Sequence, residues 1–237
     1  MKLSIIVPCY NESRNIPLLL ERFNSVVMRD DIEVIIVNNG SQDNTDEVLA
    51  ELMPRFSFAR AVKIEENKGY GHGILTGLKE ARGQYLGWTH ADLQTDPGDC
   101  LKALDIIERE DSPKDIYIKG NRKARPLADV IFTIGMGIFE SIYLGTILWD
   151  INAQPNIFHR EFFMKWKNPP SDFSLDLYAL YTAKKTNKQI VRFPVLFLKR
   201  KFGTSSWNAD MLSKIKFIKR TLAYSLVLRK ELKKWNA

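Results

Sequence analysis

Four short polar clusters in the 237-residue chain could serve one ligand site. They are Pro8-Cys9-Tyr10-Asn11-Glu12, Asn38-Asn39-Gly40-Ser41, His90-Ala91-Asp92-Leu93-Gln94 and the basic run over 119–125. Between them they offer carboxylate, amide, imidazole and guanidinium groups, a set suited to a polar ligand. Gly69, Gly71 and Gly73 also cluster. Their spacing is not the GxGxxG of a dinucleotide loop, and no phosphate-binding P-loop is present. The glycines fit a close approach of backbone to a ligand or to a neighbouring strand. Cys9 and Cys100 lack CxxC or metal-ligand spacing and read as buried thiols in a reducing compartment.

Each cluster follows an element that can position it. Residues 3–7 and 33–37 are short apolar strands, 59–65 a third and 84–88 a fourth, with 116–118 as a fifth. Helical spacing covers 15–28, a stretch capped by Asp43 and running to about Met53, 71–81, and a segment opened by Asp96-Pro97 that lasts to about Glu110. Alternating strands and helices predict an α/β fold with a mostly parallel sheet covered on both faces. Ligands of such sheets bind outside the carboxyl ends of the strands, where all four clusters fall.

Charge is concentrated at one end. The stretch 211–237 holds eight Lys or Arg against one acid, Glu231, and eight minus one equals the net charge of +7. Met211, Ile215, Ile218, Leu222 and Leu226 recur at helical spacing beside those bases. This is a basic amphipathic helix, expected either to meet an anionic membrane surface or to dock on its own domain. No aromatic-rich RNA-binding signature accompanies it, so nucleic acid is not the expected partner. Residues 130–149 are almost wholly apolar, with Glu140 near the middle and Gly135, Gly137 and Gly145 interrupting. A central carboxylate is costly in lipid, which favours interfacial or domain-packed helices over a span. The apolar N-terminal run ends at Pro8, too short for a signal-peptide core. A cytoplasmic protein, peripheral at the inner face of a membrane, is expected. Domain boundaries are expected at 1–207 for the α/β unit and 208–237 for the basic tail.

In order along the chain, Pro8-x-Tyr10-Asn11-Glu12, Asn38-Asn39-Gly40-Ser41-x-Asp43, Ala91-Asp92-Leu93-Gln94, Gly120-Asn121-Arg122, Asp150-x-Asn152-Ala153-Gln154, Phe193-Pro194-Val195 and Arg200-x-x-Gly203-x-Ser205 resemble the motifs of family 2 glycosyltransferases. The similarity is greatest to the dolichol-phosphate mannose synthase and polyprenyl-phosphate glycosyltransferase group, over about residues 3–206. The resemblance implies a GT-A-type, Rossmann-like fold and an inverting transfer from a nucleoside-diphosphate sugar. The acceptor it implies is a polyprenyl-phosphate lipid. Two alternatives stay open: transfer to a hydroxyl of a glycan, and a non-catalytic nucleotide-sugar-binding protein.

Carried over by position, Pro8, Tyr10, Glu12, Val37 and Asn39 would line the nucleoside pocket. An aromatic and a proline offer faces to a base, and carboxylate or amide groups pair with its edge. Ala91, Asp92, Arg122, Arg200 and Ser206 would complete the nucleotide-sugar site. The family has two aspartates where this chain has Asn38 and Asn39, which leaves the nucleobase open; plain turn chemistry is the other account of that stretch. The family's Asp-x-Asp-x-Gln metal motif is His90-x-Asp92-x-Gln94 here. The implied cofactor is a divalent cation, Mn2+ or Mg2+, on His90, Asp92 and Gln94, and an imidazole tilts preference toward manganese. His90 could instead cap a strand end, and Asp92 a loop. Arg122 and Arg200 would meet phosphates, unless Arg122, Lys123 and Arg125 are only a solvated charge run. Ser206 stands where the family carries Lys. For a hydroxyl acceptor, Asp176 is the candidate base, although it equally suits a helix N-terminus. Asp92, Asp176 and Arg200 are the expected catalytic residues.

Overall fold

The computed structural model describes residues 1–203 and the backbone of 211–233, with side chains for 219–230 of that last segment. In chain order the elements are β1 (Leu3–Cys9), α1 (Ile16–Asn24), β2 (Ile32–Asn39), α2 (Thr45–Leu52), β3 (Ala59–Ile64), α3 (Tyr70–Glu80), β4 (Tyr85–Trp88), α4 (Asp99–Glu108), β5 (Ile116–Lys123), α5 (Leu127–Leu144), β6 (Asn156–His159), α6 (Arg160–Met164), α7 (Leu175–Lys185), β7 (Gln189–Leu196) and α8 (Met211–Lys233). They form one seven-stranded sheet in the order β3-β2-β1-β4-β6-β5-β7. Every pairing is parallel except those of β6, which runs antiparallel to both β4 and β5.

The expected parallel α/β sheet is present, and the sequence reading missed its last two strands. Asn-Ile-Phe-His is too short and too polar at its ends to announce β6. Pro194 interrupts β7, which is tolerated because β7 is an edge strand. Asp43 is not a helix cap: its Oδ1 accepts from Thr45 N at 3.2 Å and Thr45 Oγ1 at 2.5 Å, a local turn just before α2.

Strand side chains alternate between two cores. Ile5, Val34 and Ile36 pack with Ile16, Leu19, Phe23 and Leu104 on one face. Ile6, Ile35 and Val37 pack with Ile74, Leu78, Trp88 and Tyr178 on the other. This period of two, on strands buried on both faces, explains why they read as unbroken apolar runs. Gly77 lets α3 lie directly on the sheet, since a Cβ there would sit 2.6 Å from Ile6 Cγ2.

The single helix α5, ended by left-handed Gly145, reverses the usual amphipathic order. Its buried residues are Gly137, Glu140 and Leu144, whereas Leu127, Ile131, Ile134, Ile138 and Ile142 are 55–78% exposed. Glu140 is fully buried against α8, where both carboxylate oxygens lie within 2.8 Å of Ser225 Oγ. On α8 the inward residues include Ser225 and Leu228, while Leu226, expected on the packed stripe, is 52% exposed. The side chains of Met211, Ile215 and Ile218 lie outside the described residues.

Burial raises the Glu140 carboxyl above its ordinary value, with the Ser225 bond opposing. A raised folded pKa gives stability that is complete below the unfolded value near 4.5 and lost as pH rises through the folded one. Glu140→Gln removes that loss. Its melting temperature should match wild type near pH 4 and exceed it as pH rises above about 4.5, the difference levelling off once the folded carboxyl has ionised, read by thermal denaturation across that range.

Candidate functional site

The carboxyl ends of β1, β2 and β4 bring the predicted clusters together. After β1 the chain turns through Asn11 (φ 56°), whose N–H donates to Ser41 Oγ at 2.9 Å and whose Oδ1 accepts from Gln42 N at 2.8 Å. Tyr10 is left 41% exposed at the rim. Glu12 is 7% exposed and forms an ion pair with Arg200, a contact spanning 188 residues. Its second oxygen accepts from Asn15 Nδ2 at 2.5 Å. Burial raises the Glu12 carboxyl, against the pull of Asn15 and Arg200. Two of the expected donor-site residues are thus held together across almost the whole chain.

At the end of β2 the two asparagines diverge. Asn38 donates to Asp46, and its Oδ1 accepts from Ser41 N at 3.1 Å, so it builds the turn. Asn39 turns the other way: Nδ2 donates to Gly69 O at 2.9 Å and Asn67 Oδ1 at 3.3 Å. Gly73 allows Pro8 and Asn39 to approach α3, because a Cβ there would sit 3.3 and 3.4 Å from them. Val37 and Ala91 do not line a pocket with their side chains. Strand alternation sends Val37 into one core, and Ala91, 3% exposed, into the other.

Beyond β4, His90, Asp92 and Gln94 lie on a half-buried loop that turns at Leu93 (φ 57°). Asp92 Oδ1 accepts from Gln94 N at 3.1 Å, leaving Oδ2 uncommitted by this turn. Gln94 Nε2 donates to Leu198 O at 3.2 Å, and Gln94 O accepts from Leu198 N at 2.7 Å, tying the loop to the segment that leads to Arg200. No group of three or more His, Cys, Asp or Glu gathers among the described residues. One carboxylate, one imidazole and one amide oxygen fit a cation that draws its remaining ligands from phosphate and water.

In the basic run at the end of β5, Lys123 is exposed but the two arginines are not solvated. Arg122 and Arg125 side chains are 7% and 6% exposed. Arg122 forms a charge-assisted fork with Asp150, including Arg122 Nε to Oδ1 at 2.7 Å, and Arg125 Nη1 stands 3.7 Å from the same oxygen. Burial works to raise Asp150, but Arg122 holds it below its ordinary value. Two guanidinium groups on one carboxylate leave a net positive charge. Asp150 had been quoted only within a motif; nothing in its spacing announces a partner 28 residues away.

Asp176, the candidate base, is buried at the start of α7. It is 2% exposed, and its Oδ1 accepts from Trp88 Nε1 at 3.3 Å, Gln154 Nε2 at 3.0 Å and Asn156 Nδ2 at 3.1 Å. Burial raises its carboxyl, opposed by Lys119 and His90. Held by these donors, it forms part of the floor of the site. Ser206 lies outside the described residues. Tyr70, which sequence reasoning passed over, joins this same network, as does Lys119 from the start of the basic run.

Residues 4–166 match the family model described as glycosyl transferase family 2. The chain belongs to that family. It is 30% identical over 127 residues to a dolichol-phosphate mannosyltransferase of Pyrococcus furiosus, covering 52% of this chain and 35% of the relative. It is 32% identical over 110 residues to an undecaprenyl-phosphate 4-deoxy-4-formamido-L-arabinose transferase of Yersinia enterocolitica, covering 45% and 34%. The matched region thus spans about a third of the length of these relatives. Among solved structures, a glucosyl-3-phosphoglycerate synthase of Mycobacterium tuberculosis, in complex with Mn2+, UDP and glucosyl-3-phosphoglycerate, superposes with a TM-score of 0.72 at 16% identity, over 96% of this chain and 79% of that one. A mannosyltransferase of Pyrobaculum calidifontis with GDP-mannose and Mn2+ gives 0.64 at 20% identity, over 87% and 59%. The fold is therefore GT-A-like.

Among the described residues, Asp92 contributes a single side-chain bond, within its own loop. Asp92→Ala is expected to leave the melting temperature close to wild type and to lower sugar transfer by roughly 100-fold or more, the loss of a metal-held charge at the leaving group. Steady-state rates at saturating donor check this; an unchanged rate removes Asp92 from the chemistry.

Proposed function

We propose that this glycosyltransferase takes a nucleoside-diphosphate sugar as donor and transfers the sugar, with inversion, to a polyprenyl-phosphate lipid at a membrane surface. The observation that carries the acceptor is the placement of α5. Its exposed Ile131, Ile134, Ile138 and Ile142 stripe begins one turn after the Arg122 and Arg125 cluster. An apolar helix face meeting a buried cationic cluster suits a ligand with a phosphate head and a hydrocarbon tail. Burying each half-exposed isoleucine in lipid would contribute on the order of 1 kcal/mol. The exposed bases Lys219, Arg229 and Lys230 of α8 add attraction to an anionic leaflet, about 1 kcal/mol each near the surface. Glu140, turned toward α8, keeps its charge off the lipid-facing side.

The donor reading rests on the strand-end cluster of Pro8, Tyr10, Glu12, Asn39 and Arg200, supported by family membership. The relatives named for dolichol phosphate and undecaprenyl phosphate support the acceptor class. A phosphate acceptor is ionised near neutral pH, so it needs no base, which accords with the sealed Asp176. The site is one in which His90, Asp92 and Gln94 would hold a divalent cation that neutralises charge on the departing diphosphate. Free, buried Cys9 and Cys100 suit a reducing cytoplasm, with the protein peripheral at the inner face of the membrane.

Replacing Ile131, Ile138 and Ile142 together by Ser should abolish flotation with anionic vesicles containing undecaprenyl phosphate. Nucleotide binding should be unchanged, and transfer to the embedded lipid should fall at least roughly ten-fold. Equal flotation and equal transfer would refute the lipid acceptor.

His90 tests the metal. With an imidazole ligand, manganese should support more activity than magnesium at equal concentration, because magnesium prefers all-oxygen octahedra. His90→Asp should move the preference toward magnesium. The same manganese-to-magnesium rate ratio in wild type and variant would show that His90 does not bind the cation.

A further inference from the structure

Beneath the His90 loop the side chains form a hydrogen-bond chain with a direction. Lys119 is fully buried, and its Nζ donates to Ala153 O at 2.9 Å and Asn156 Oδ1 at 2.5 Å. The Tyr117 hydroxyl donates to the same Asn156 oxygen at 2.9 Å. Meeting an amine and a phenol identifies that atom as the amide oxygen. Asn156 Nδ2 therefore faces the other way, donating to Gln154 Oε1 at 2.6 Å. That orients Gln154 in turn, and its Nε2 donates to Asp176 Oδ1 at 3.0 Å and to the Tyr70 hydroxyl at 3.1 Å.

Tyr70 is the end of the chain, and there its oxygen accepts. The neighbouring Trp88 indole can only donate. The phenolic proton is thus left for another acceptor, and none is found among the described residues. The ring is held from both sides. It stacks on Phe173 with centroids 4.7 Å apart, and it lies 6.0 Å from the His90 ring. Gly69 and Gly71 let the 170–172 loop close over this turn, since a Cβ at either would sit 2.6 Å from a carbonyl oxygen of Ser171 or Asp172. His72 N donates to Ser171 O at 2.7 Å, fastening the loop there.

We infer that Tyr70 is a further substrate-contacting residue, whose hydroxyl donates a hydrogen bond to an oxygen of the nucleotide-sugar donor beside His90 and Asp92. That oxygen belongs to the diphosphate or to the transferred sugar. Gln154, Asn156 and Lys119 act through Tyr70 as positioning residues, since they decide which way its proton faces. The inference rests on the donor site proposed above.

The test is calorimetric titration of the full chain with UDP, UDP-glucose, GDP and GDP-mannose, each with manganese, for wild type and Tyr70→Phe. Phenylalanine keeps the stacked ring, so the melting temperature should hold. The dissociation constant of whichever nucleotide sugar binds wild type should rise roughly ten-fold, the loss of one hydrogen bond to a polar or charged oxygen. A rise for both diphosphate and nucleotide sugar assigns the bond to the diphosphate; a rise for the nucleotide sugar alone assigns it to the sugar. Gln154→Met should weaken binding less, and adding it to Tyr70→Phe should weaken binding no further, because both act through one hydroxyl; additive losses would overturn the positioning role. Equal constants for wild type and Tyr70→Phe would overturn the Tyr70 assignment and leave the donor site standing. Failure of wild type to bind any of the four would overturn the donor site and this assignment with it.

Discussion

A buried ammonium and a buried carboxylate, Lys119 and Asp176, share the floor of the site without touching through a direct ion pair. Each alone would be expensive in an apolar interior. Asn156 and Gln154 stand between them and satisfy both, and burial brings Lys119 down to about 7. This bridge is possible only because β6 enters the sheet between β4 and β5, carrying Asn156 to the centre. Through it five elements are joined: Trp88 from β4, Tyr117 and Lys119 from β5, Asn156 from β6, Asp176 from α7 and Tyr70 from α3. The loop bearing His90 and Asp92 rests on that floor. A polar network bonded at this many points admits few alternative arrangements, so it can hold the side chains above it in one geometry.

The α5–α8 face is organised by the opposite device. Most helices on a soluble domain turn their apolar side inward, and α1 does so with Ile16, Leu19, Leu20 and Phe23. On α5 the acid is inside and the isoleucines are outside. Glu140 and Ser225 account for the inversion, because they give α5 and α8 a polar seam to share. Arg229 lies over the Tyr143 ring at 4.7 Å and adds a second contact along the same seam. At its other end α8 reaches the site, with Arg220 Nε 3.5 Å from Asp172 and its guanidinium 5.0 Å over Phe173. The helix that carries the basic surface therefore touches the aromatic pair formed by Phe173 and Tyr70. The exposed α5–α8 face and the strand-end site are thus linked through shared side chains.

Between them stands Asp150, in left-handed backbone (φ 43°) and gripped by Arg122 and Arg125. The carboxylate keeps two guanidinium groups ordered and close, at the C-terminal end of β5 and the start of α5. Phe197 lies under both, 5.4 and 5.8 Å from their centres. Cations arranged this way meet an incoming phosphate without first losing side-chain entropy.

Much of this was legible in the residues themselves. Apolar runs of strand length, separated by helical spacing, determined an α/β sheet, because strands buried on both faces must be apolar throughout. Polar groups at the ends of those runs determined where a site would lie. The ordered motifs determined the family, and Glu12, Asp92 and Arg200 could be named from them. What local pattern does not encode is the direction in which a side chain points and which distant residue it meets. Val37 and Ala91 sit in site motifs yet face the cores, as the two-residue period of a strand and the turn after β4 decide. Asp176 could be placed at a helix start from the sequence, but only the packing of α7 against β4 and β6 decided that it is buried among Trp88 and Asn156. The antiparallel entry of β6, the pairing of Arg122 with Asp150 and the turning of Glu140 toward Ser225 join residues 28 or more positions apart. Such partners are chosen by the folded sheet, because only its register brings their charges within reach of one another.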